Sequence, residues 1–573
     1  MKKATHLAII LALAISALAS CAGGGYGGAP SSNRGEPPSP GDPAPAAQSQ
    51  GEPAPAPASV PAIKEEVVIG FPEIPAHFDP LQGFGGGGHS SGAQLLFSTL
   101  VEVDENSGIA PGLAESYAIS EDALVYTFSL RKGARFSDGA DVTAGDVAFT
   151  FKALMDSASP IDLSCVQSVS ADGDAVTITL SRPQSTFILA AASAGIVPEH
   201  AYGEGFGLNP IGSGPYRLAQ YDVDQQFILE ASETYYGPAP KIKRAVFVKI
   251  ADADVRLAAV MGGQVDITAA DAALAGAVGP APGYKLLVAD TVDNLGIAMP
   301  TVPYASEANQ YGHPVGNDAT ADASFRKALA YGLDREAICR DALNGFASPS
   351  FSENDGLPWS NPDSAIEYDL GYAISLLEQS GWAMGGDGVR AKDGARASLT
   401  LLYFAGDSTR QAVAMAAAQQ AREKLGIEIA VEGAASVDIA SRMYSEPIML
   451  AWGSANPMTS YYLFHSSHAG LDDWYNPQNY RSAAVDGYLE QAVGARTIEE
   501  AARYFRLAQW DGSSGTSMRG DCPYIFLVNV SHLYWVREGL DTGARKIHAH
   551  GGSWPLVENL REWEWAWERA WEG

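Results

Sequence analysis

The chain has 573 residues, of which 46% are hydrophobic and 18% charged, so it can bury a large core and should divide into two or more domains. Its 37 Lys and Arg against 67 Asp and Glu give a formal net charge of −30. That charge argues against nucleic-acid binding, which needs a positive face for the phosphates. Solubility is the simplest explanation for it.

Residues 1–20 have the layout of a secretory signal. Two lysines precede an apolar run over residues 7–18, and small residues lead to Cys21. This ending resembles a bacterial lipobox, which implies that Cys21 is lipidated and becomes the mature N-terminus. An ordinary signal peptide with a chance cysteine is the alternative. No later stretch is apolar over about 18 residues, so we expect membrane attachment by the lipid anchor only.

Residues 21–61 are predicted to be a disordered tether. They are rich in Pro, Gly and Ala and carry almost no large apolar side chain, so they cannot fold alone. Proline-rich chain extends about 3.1 Å per residue, so this segment could hold the folded body on the order of 100 Å from a membrane.

The folded body is expected to begin near residue 62 with an apolar strand over 67–71. A glycine-rich loop follows, and residues 88–92 fit the pattern G-x-S-x-G, which would make Ser90 the nucleophile of a secreted serine hydrolase. That motif needs a strand directly before the serine, whereas glycines precede it here. The hydrolase is therefore the enzyme alternative and not the main interpretation.

Residues 111–151 carry the clearest local pattern. Apolar side chains stand at every second position from 124 to 130, which predicts a half-buried strand. A second short strand is predicted over 134–136. Thr143 and Asp146 have the spacing of a weak capping box, so a helix is predicted to begin there.

The wording of this stretch resembles the signature of the extracytoplasmic solute-binding proteins of ABC importers, family 5, the peptide- and nickel-binding type. Segments at 209–216, 258–267, 322–343 and 372–382 resemble later parts of the same family, in the same order. The resemblance implies an α/β, two-lobed periplasmic-binding-protein fold, of type II and the enlarged peptide/nickel-binding class, with a ligand cleft between the lobes.

Tracing that fold onto the chain predicts lobe I over 62–298, with an inserted subdomain at about 102–207. Lobe II is predicted over 299–521, and residues 522–573 return to lobe I. Within lobe II, strands at 399–403 and 427–431 flank a helix at 410–425, which indicates βαβ organisation. The hinge is expected where prolines bound the two crossings.

The ligand is expected on loops that face the hinge, above all the loop that follows the apolar strand ending at Trp452. Gly453 there would let the backbone approach a ligand, and aromatic residues follow it. The candidate ligand-binding residues are Trp452, Gly453, Ser454, Asn456, Tyr461, Tyr462, and on the glycine-rich loop Phe84 and His89.

Peptide-binding relatives commonly carry an aspartate shortly after this tryptophan, where it neutralises the peptide amine. Here that place holds Ser454, Ala455 and Asn456, and a buried ammonium without a carboxylate would be costly. The resemblance to nickel-binding relatives instead implies a histidine near His465 and His468, with a small chelator supplying most metal ligands. The candidate metal-contacting residues are His465, His468, His548 and His550.

Cys165, Cys339 and Cys522 are scattered singly, so they form no metal-thiolate motif and at most one disulfide. Near the end of the chain, Trp563, Trp565, Trp567 and Trp571 could form a sugar- or choline-binding platform of a surface adhesin. We expect them instead to close the core of a lobe.

The sequence therefore predicts a monomeric, lipid-anchored solute-binding protein that is not an enzyme and requires no cofactor. It would lie outside the cytoplasm, in the periplasm or on the outer face of the cytoplasmic membrane. It would capture a nickel(II) chelate, or alternatively a short peptide, and deliver it to ABC permease subunits and their ATPases by ligand-driven closure of the lobes.

Overall fold

A computed structural model describes residues 64–85, 93–157, 159, 161–305, 308–471, 474–549 and 554–566. The predicted signal, Cys21 and the tether lie outside the described residues, as do His89, Ser90 and His550. None of the helices in the described ranges combines the length and the apolar character that crossing a membrane requires.

The described chain contains both strands and helices. The strands are β1 Glu66–Phe71, β2 Val101–Val103, β3 Ile109–Pro111, β4 Ala114–Ile119, β5 Val125–Leu130, β6 Val166–Asp172, β7 Ala175–Leu180, β8 Tyr216–Asp222, β9 Gln226–Ala231, β10 Arg244–Lys249, β11 Ile267–Ala269, β12 Tyr284–Ala289, β13 Asn294–Ala298, β14 Ala347–Pro349, β15 Ala383–Met384, β16 Arg390–Lys392, β17 Ala395–Arg396, β18 Ser398–Phe404, β19 Glu428–Ala434, β20 Ile448–Trp452, β21 Tyr524–Val530, β22 His532–Arg537, β23 Leu540–Asp541 and β24 Glu564–Trp565. The helices are α1 Ala144–Met155, α2 Phe187–Ser193, α3 Ala253–Met261, α4 Ala272–Val278, α5 Asp318–Ala321, α6 Ala323–Gly332, α7 Arg335–Ala342, α8 Leu370–Gln379, α9 Ser408–Gln420, α10 Ser436–Arg442, α11 Met458–Phe464, α12 Ala483–Gly494, α13 Ile498–Gln509 and α14 Trp554–Val557.

The first sheet has seven strands in the order β12-β22-β11-β1-β10-β9-β8. β1 runs parallel to β10 and β11, and the other pairs are antiparallel. Asp266, just before β11, is 2% exposed. Its carboxylate accepts hydrogen bonds from Lys64 Nζ at 2.8 Å, the Val68 N–H at 2.8 Å and Arg537 Nε at 2.7 Å. These bonds fix the centre of the sheet to its C-terminal strand β22.

The second sheet has six strands in the order β14-β21-β13-β20-β18-β19. β18, α9 and β19 form the predicted βαβ unit, with the two strands parallel. The predicted helix pair over 322–343 is present as α6 and α7. The buried Arg335 of α7 donates to the Phe526 carbonyl at 2.8 Å and to the Ala330 carbonyl at 2.9 Å, which ties the helix pair to β21.

The third sheet has four strands in the order β4-β5-β7-β6, and α1 packs against it. The predicted strand is β5, and its Tyr126 and Phe128 are fully buried. The predicted capping box is also present: the Thr143 hydroxyl accepts from the Asp146 N–H at 3.3 Å, and the Asp146 carboxylate accepts from the Thr143 N–H at 2.9 Å. These local patterns therefore formed as the sequence predicts.

The second short strand predicted over 134–136 is wrong. Only an isolated bridge between Arg135 and Asp141 forms there. The Phe136 N–H donates to the Ala140 carbonyl at 2.9 Å, so the chain reverses in a tight turn before a strand can extend.

The chain passes from the first sheet to the second between β12 and β13, and returns between β21 and β22. β13 and β21 therefore belong to the second sheet, although the predicted boundaries at 298/299 and 521/522 assign both to lobe I. The difference arises because β13 and β21 pair with each other over the centre of the second sheet. The residue boundaries of the two lobes stay a prediction.

Trp563 lies in the core and the partly buried Trp565 packs against it, as predicted. Trp563 is fully buried, and the Trp565 indole N–H donates to the Glu66 carbonyl at 3.0 Å while β24 pairs with β23. Trp567 and Trp571 lie outside the described residues. The described part of the tail therefore closes a sheet edge.

All three cysteines of the described body, Cys165, Cys339 and Cys522, are buried and unpaired. Burial is the main cause that raises the pKa of each thiol to about 11. They therefore behave as small apolar core residues.

Candidate functional site

Three side chains that carry polar atoms lie side by side at the end of β20. Trp452 is the last residue of β20, and it pairs directly with Asn294, the first residue of β13. Asn294 pairs on its other side with Asn529 of β21. Directly opposed residues project from the same face of a sheet. These three residues therefore form a row, here called the polar row, across three neighbouring strands of the second sheet.

Asn294 and Asn529 are buried and Trp452 is half-buried, and the polar row is only partly hydrogen-bonded. The Asn294 amide donates to the Trp452 carbonyl, and the Asn529 amide donates to Asp355 Oδ2 at 3.1 Å. Asn294 Oδ1, Asn529 Oδ1 and Trp452 Nε1 are buried without a hydrogen-bond partner among the described residues. Buried polar atoms without partners are uncommon and cost free energy. A bound molecule or water at the polar row would supply the missing hydrogen bonds.

Glu353 is a buried carboxylate on the loop that follows β14, and it is 1% exposed. Its Oε1 accepts from the Ser460 hydroxyl and from the Asn354 amide, the latter at 3.0 Å. Its Oε2 has no hydrogen-bond partner within the described ranges. Burial raises the pKa of Glu353 to about 7, against the lowering effect of the Ser460 hydrogen bond.

The loop that carries Glu353 is fixed by Asp355. The Asp355 carboxylate accepts from the Ser350 hydroxyl at 2.9 Å, the Phe351 N–H at 2.8 Å and the Ser352 hydroxyl at 2.9 Å. The same carboxylate accepts from the Asn529 amide. Hydrogen bonds therefore connect this loop directly to the polar row. The sequence interpretation missed Glu353, because an acidic residue in a Ser-Glu-Asn-Asp-Gly run is typical of an exposed turn.

An aromatic cluster lies beside the polar row. Trp452 stacks on Tyr475, with ring centroids 5.5 Å apart and an interplanar angle of 26°. Tyr462 of α11 lies 4.9 Å from Tyr475. His468 lies 5.3 Å from Tyr462, 5.8 Å from Tyr475 and 6.0 Å from Tyr461. We call these five residues the aromatic cluster; the sequence predicted all of them except Tyr475.

Two other predicted residues support the turn between β20 and α11. Ser454 Oγ accepts from the Asn456 N–H at 3.0 Å, and Asn456 Oδ1 accepts from the Met458 N–H at 3.0 Å. Gly453 is buried in the same turn. The side chains that stand in the place of the family aspartate thus bond to their own loop. Phe84 lies in the 3-10 helix Pro80–Gly85, on a separate segment.

His465 is engaged by neighbours within the chain. Its ring stacks on Tyr461 at 4.3 Å, and its Nδ1 lies 2.7 Å from the Ser467 hydroxyl. Its Nε2 lies 3.5 Å from Glu490 Oε1 and 4.0 Å from Asp486 Oδ1. Neither Nε2 contact has the geometry of a hydrogen bond.

His548 packs elsewhere, beside β22. Its Nδ1 lies 3.3 Å from His532 Nδ1, and its ring lies edge-on to Tyr534. Burial, followed by the charges of His532 and Arg545, lowers the pKa of His548 to about 3. No group of three or more His, Cys, Asp or Glu residues in the described part is arranged to hold a metal ion. The structure therefore does not bring His548 together with His465 as metal ligands.

The third-sheet region contacts the same area. The Tyr462 hydroxyl donates to Asp162 Oδ2 at 3.2 Å. The Ser185 hydroxyl and N–H donate to the Ala492 and Val493 carbonyls near the end of α12, both at 2.8 Å. The aromatic cluster is thus flanked by residues from the predicted inserted subdomain as well as from the second sheet.

Comparison with known proteins gives a consistent result. A family model described as bacterial extracellular solute-binding proteins, family 5 Middle, matches residues 108–474. Protein XP55 of Streptomyces lividans is 32% identical over 496 residues, which cover 83% of this chain and 86% of that protein. The oligopeptide-binding protein AppA of Bacillus subtilis is 26% identical over 475 residues, or 78% of this chain and 83% of that protein.

Solved structures show the same fold. NikZ of Campylobacter jejuni in complex with Ni(L-His) has a TM-score of 0.68 at 24% identity, covering 87% of this chain and 99% of that one. AppA of B. subtilis in complex with a nonapeptide has a TM-score of 0.62 at 22% identity, covering 88% and 100%. At these identities the likeness establishes the two-lobed α/β fold class.

Proposed function

The chain belongs to the bacterial extracellular solute-binding proteins of family 5, and we propose that it captures a nickel(II) chelate or a short peptide for an ABC importer. The observation that carries this proposal is the pairing of the aromatic cluster with the polar row. Stacked rings provide apolar walls, and buried polar atoms without partners provide a few directed contacts, which is the composition of a small-molecule site.

The chelate branch of the proposal assigns one protein ligand, His468. It lies among three tyrosine rings, and imidazole suits nickel. A chelator would supply the remaining ligands, so no cluster of protein ligands is needed. NikZ, with its bound Ni(L-His), is the supporting similarity. His465 has a positioning role in this proposal, since it stacks on Tyr461.

The peptide branch is favoured by a different observation. Two amide oxygens and one carboxylate oxygen lack hydrogen-bond donors in the described structure, and peptides supply N–H donors. AppA, whose structure holds a nonapeptide, is the supporting similarity.

Transport follows from closure in this proposal. The solute would draw the second sheet and the third-sheet region together around it, shifting the population toward a closed state that the permease recognises. The protein would serve transport and not catalysis, as a monomer held at the membrane by a lipid on Cys21. The lipid anchor is a prediction from the sequence alone.

A thermal-shift screen of the purified protein tests the proposal, with nickel alone, nickel with free histidine, and mixed di- to pentapeptides. A ligand at a hundredfold excess over its dissociation constant adds about 2.7 kcal/mol of stability. A shift with nickel and histidine that is lost in His468→Ala, but kept in the control His200→Ala, supports the chelate branch. A shift with peptides alone supports the peptide branch, and no shift with any of them contradicts the proposal.

A further inference from the structure

Glu353 is a buried acidic residue beside the polar row whose hydrogen-bonding capacity is only partly satisfied by the described residues. No Lys, Arg or His is among its hydrogen-bond or ion-pair partners in the described chain, and its Oε2 accepts no hydrogen bond there. An ionised carboxylate at 1% exposure without a cation costs several kcal/mol. Burial raises the pKa of Glu353 to about 7, so the free protein avoids part of this cost by protonating the group. A cation from outside the chain would instead stabilise the ionised form.

Hydrogen bonds hold the loop that carries Glu353 beside the polar row. Along β13, Asn294 pairs with Asn529 and Ala298 pairs with Tyr524. Asn294 and Ala298 are four residues apart, so they and their partners project from one face. The Asp355 bond to Asn529 holds the Glu353 loop against the same face.

The unpartnered atoms define the chemistry of what they would bind. Three of them are acceptors: Glu353 Oε2, Asn294 Oδ1 and Asn529 Oδ1. One is a donor, Trp452 Nε1. A protonated primary amine offers three N–H donors, no acceptor and a positive charge, so it matches the three acceptors and the carboxylate charge together. A carbonyl or carboxylate oxygen next to that amine would match the indole N–H.

We propose that Glu353, with the amide oxygens of Asn294 and Asn529, binds the protonated amine of the transported solute. This inference rests on the proposed function and narrows its solute class. The solute is a short peptide or a similar compound with a free ammonium group. An amine that coordinates a metal has lost the ammonium proton and its positive charge, so it offers two N–H donors at most and does not match the carboxylate charge. Glu353 thereby supplies the carboxylate that the loop after Trp452 lacks.

Isothermal titration of the purified full chain tests the inference with matched probes. The probes are a mixed di- to pentapeptide library with free amines, the same library N-acetylated, and nickel with histidine. The variants are Glu353→Gln, which keeps the shape and removes the charge, and the control Asp174→Asn, which removes an exposed carboxylate paired with Lys132.

We expect the wild type and Asp174→Asn to bind the free-amine library, and N-acetylation or Glu353→Gln to weaken binding about thirtyfold or more. Equal binding of both libraries, or full binding by Glu353→Gln, would overturn the inference while the proposed function stands. Binding of nickel with histidine alone would also overturn it and leave the chelate branch. Binding of none of the probes would overturn both. Urea unfolding of Glu353→Gln checks that any loss is not a loss of fold.

Discussion

Two buried carboxylates in the two large sheets differ in how completely the chain satisfies them. Asp266, in the first sheet, accepts bonds from two cationic side chains and one backbone N–H. Glu353, beside the second sheet, accepts from a hydroxyl and an amide at one oxygen, and its other oxygen has no partner in the described structure. The first arrangement holds the fold together. The second leaves one carboxylate oxygen without a hydrogen-bond donor, which is why we assign Glu353 to binding of the solute.

The largest expected effect comes from breaking the satisfied site. We expect Asp266→Ala to destabilise the protein by about 3 kcal/mol or more, since it strands Lys64, Arg537 and the Val68 N–H. Urea unfolding measures this loss. The control is Asp174→Ala, which removes an exposed ion pair with Lys132 and should cost less than about 1 kcal/mol. Equal losses of stability in both variants would show that the buried carboxylate of Asp266 does not hold the first sheet together.

The opposite sign is expected at Glu353. Its folded pKa of about 7 lies above its ordinary value of 4.5, so stability is lost as the pH rises from about 4.5 through about 7. Glu353→Gln removes this loss, and the ligand-free variant should gain about 2 to 3 kcal/mol over the wild type between pH 5 and pH 8. Urea unfolding at the two pH values checks it. A pH-independent difference would mean that the carboxylate is not strained by burial.

A third buried group extends the comparison to acid. The folded pKa of His548 is lowered to about 3 from 6.5, so the unfolded chain binds its proton first and stability is lost as the pH falls from about 6.5 toward 3. By pH 5 the loss should be about 2 kcal/mol. In His548→Gln this part of the acid loss should disappear, measured by unfolding at pH 7.5 and pH 5. An unchanged acid loss would show that His548 becomes charged in the folded protein.

The smallest effect sharpens the assignment of Glu353. Ser460→Ala removes the hydroxyl whose hydrogen bond lowers the pKa of Glu353. We expect a loss of about 1 kcal/mol at pH 8 and an upward shift in the pH at which the stability of the protein changes. Unfolding across pH 5 to pH 9 measures both. The control is Ser441→Ala, which removes the hydrogen bond of a half-buried hydroxyl to the Asp438 carbonyl. A downward shift would contradict the hydrogen-bond geometry.

Local patterns predicted the elements well where neighbours in sequence decide the outcome. The Thr143 capping box and the β18-α9-β19 unit formed as predicted, because a cap and a helix face depend on residues only a few positions apart. The short strand over 134–136 was wrong, since a strand needs a partner and the tight turn left none beyond one bridge.

The candidate site was only half visible in the sequence. Trp452, Tyr461, Tyr462 and His468 stand on one segment, so a resemblance over that segment could indicate them. The close spacing of histidines was a poor guide, because the His465 ring bonds to Ser467 and His548 packs on β22. Sequence proximity does not decide which side chains share a face.

By itself, the sequence determined the family, the α/β class and most of the aromatic loop, because these depend on order and short-range periodicity along the chain. Only the tertiary structure brought Glu353, Asn294 and Asn529 to one face. These residues come from segments far apart in the chain. Strand pairing and burial decide which of their polar atoms have no hydrogen-bond partner. An unsatisfied hydrogen-bonding group is a property of tertiary packing, so no local sequence pattern could predict it.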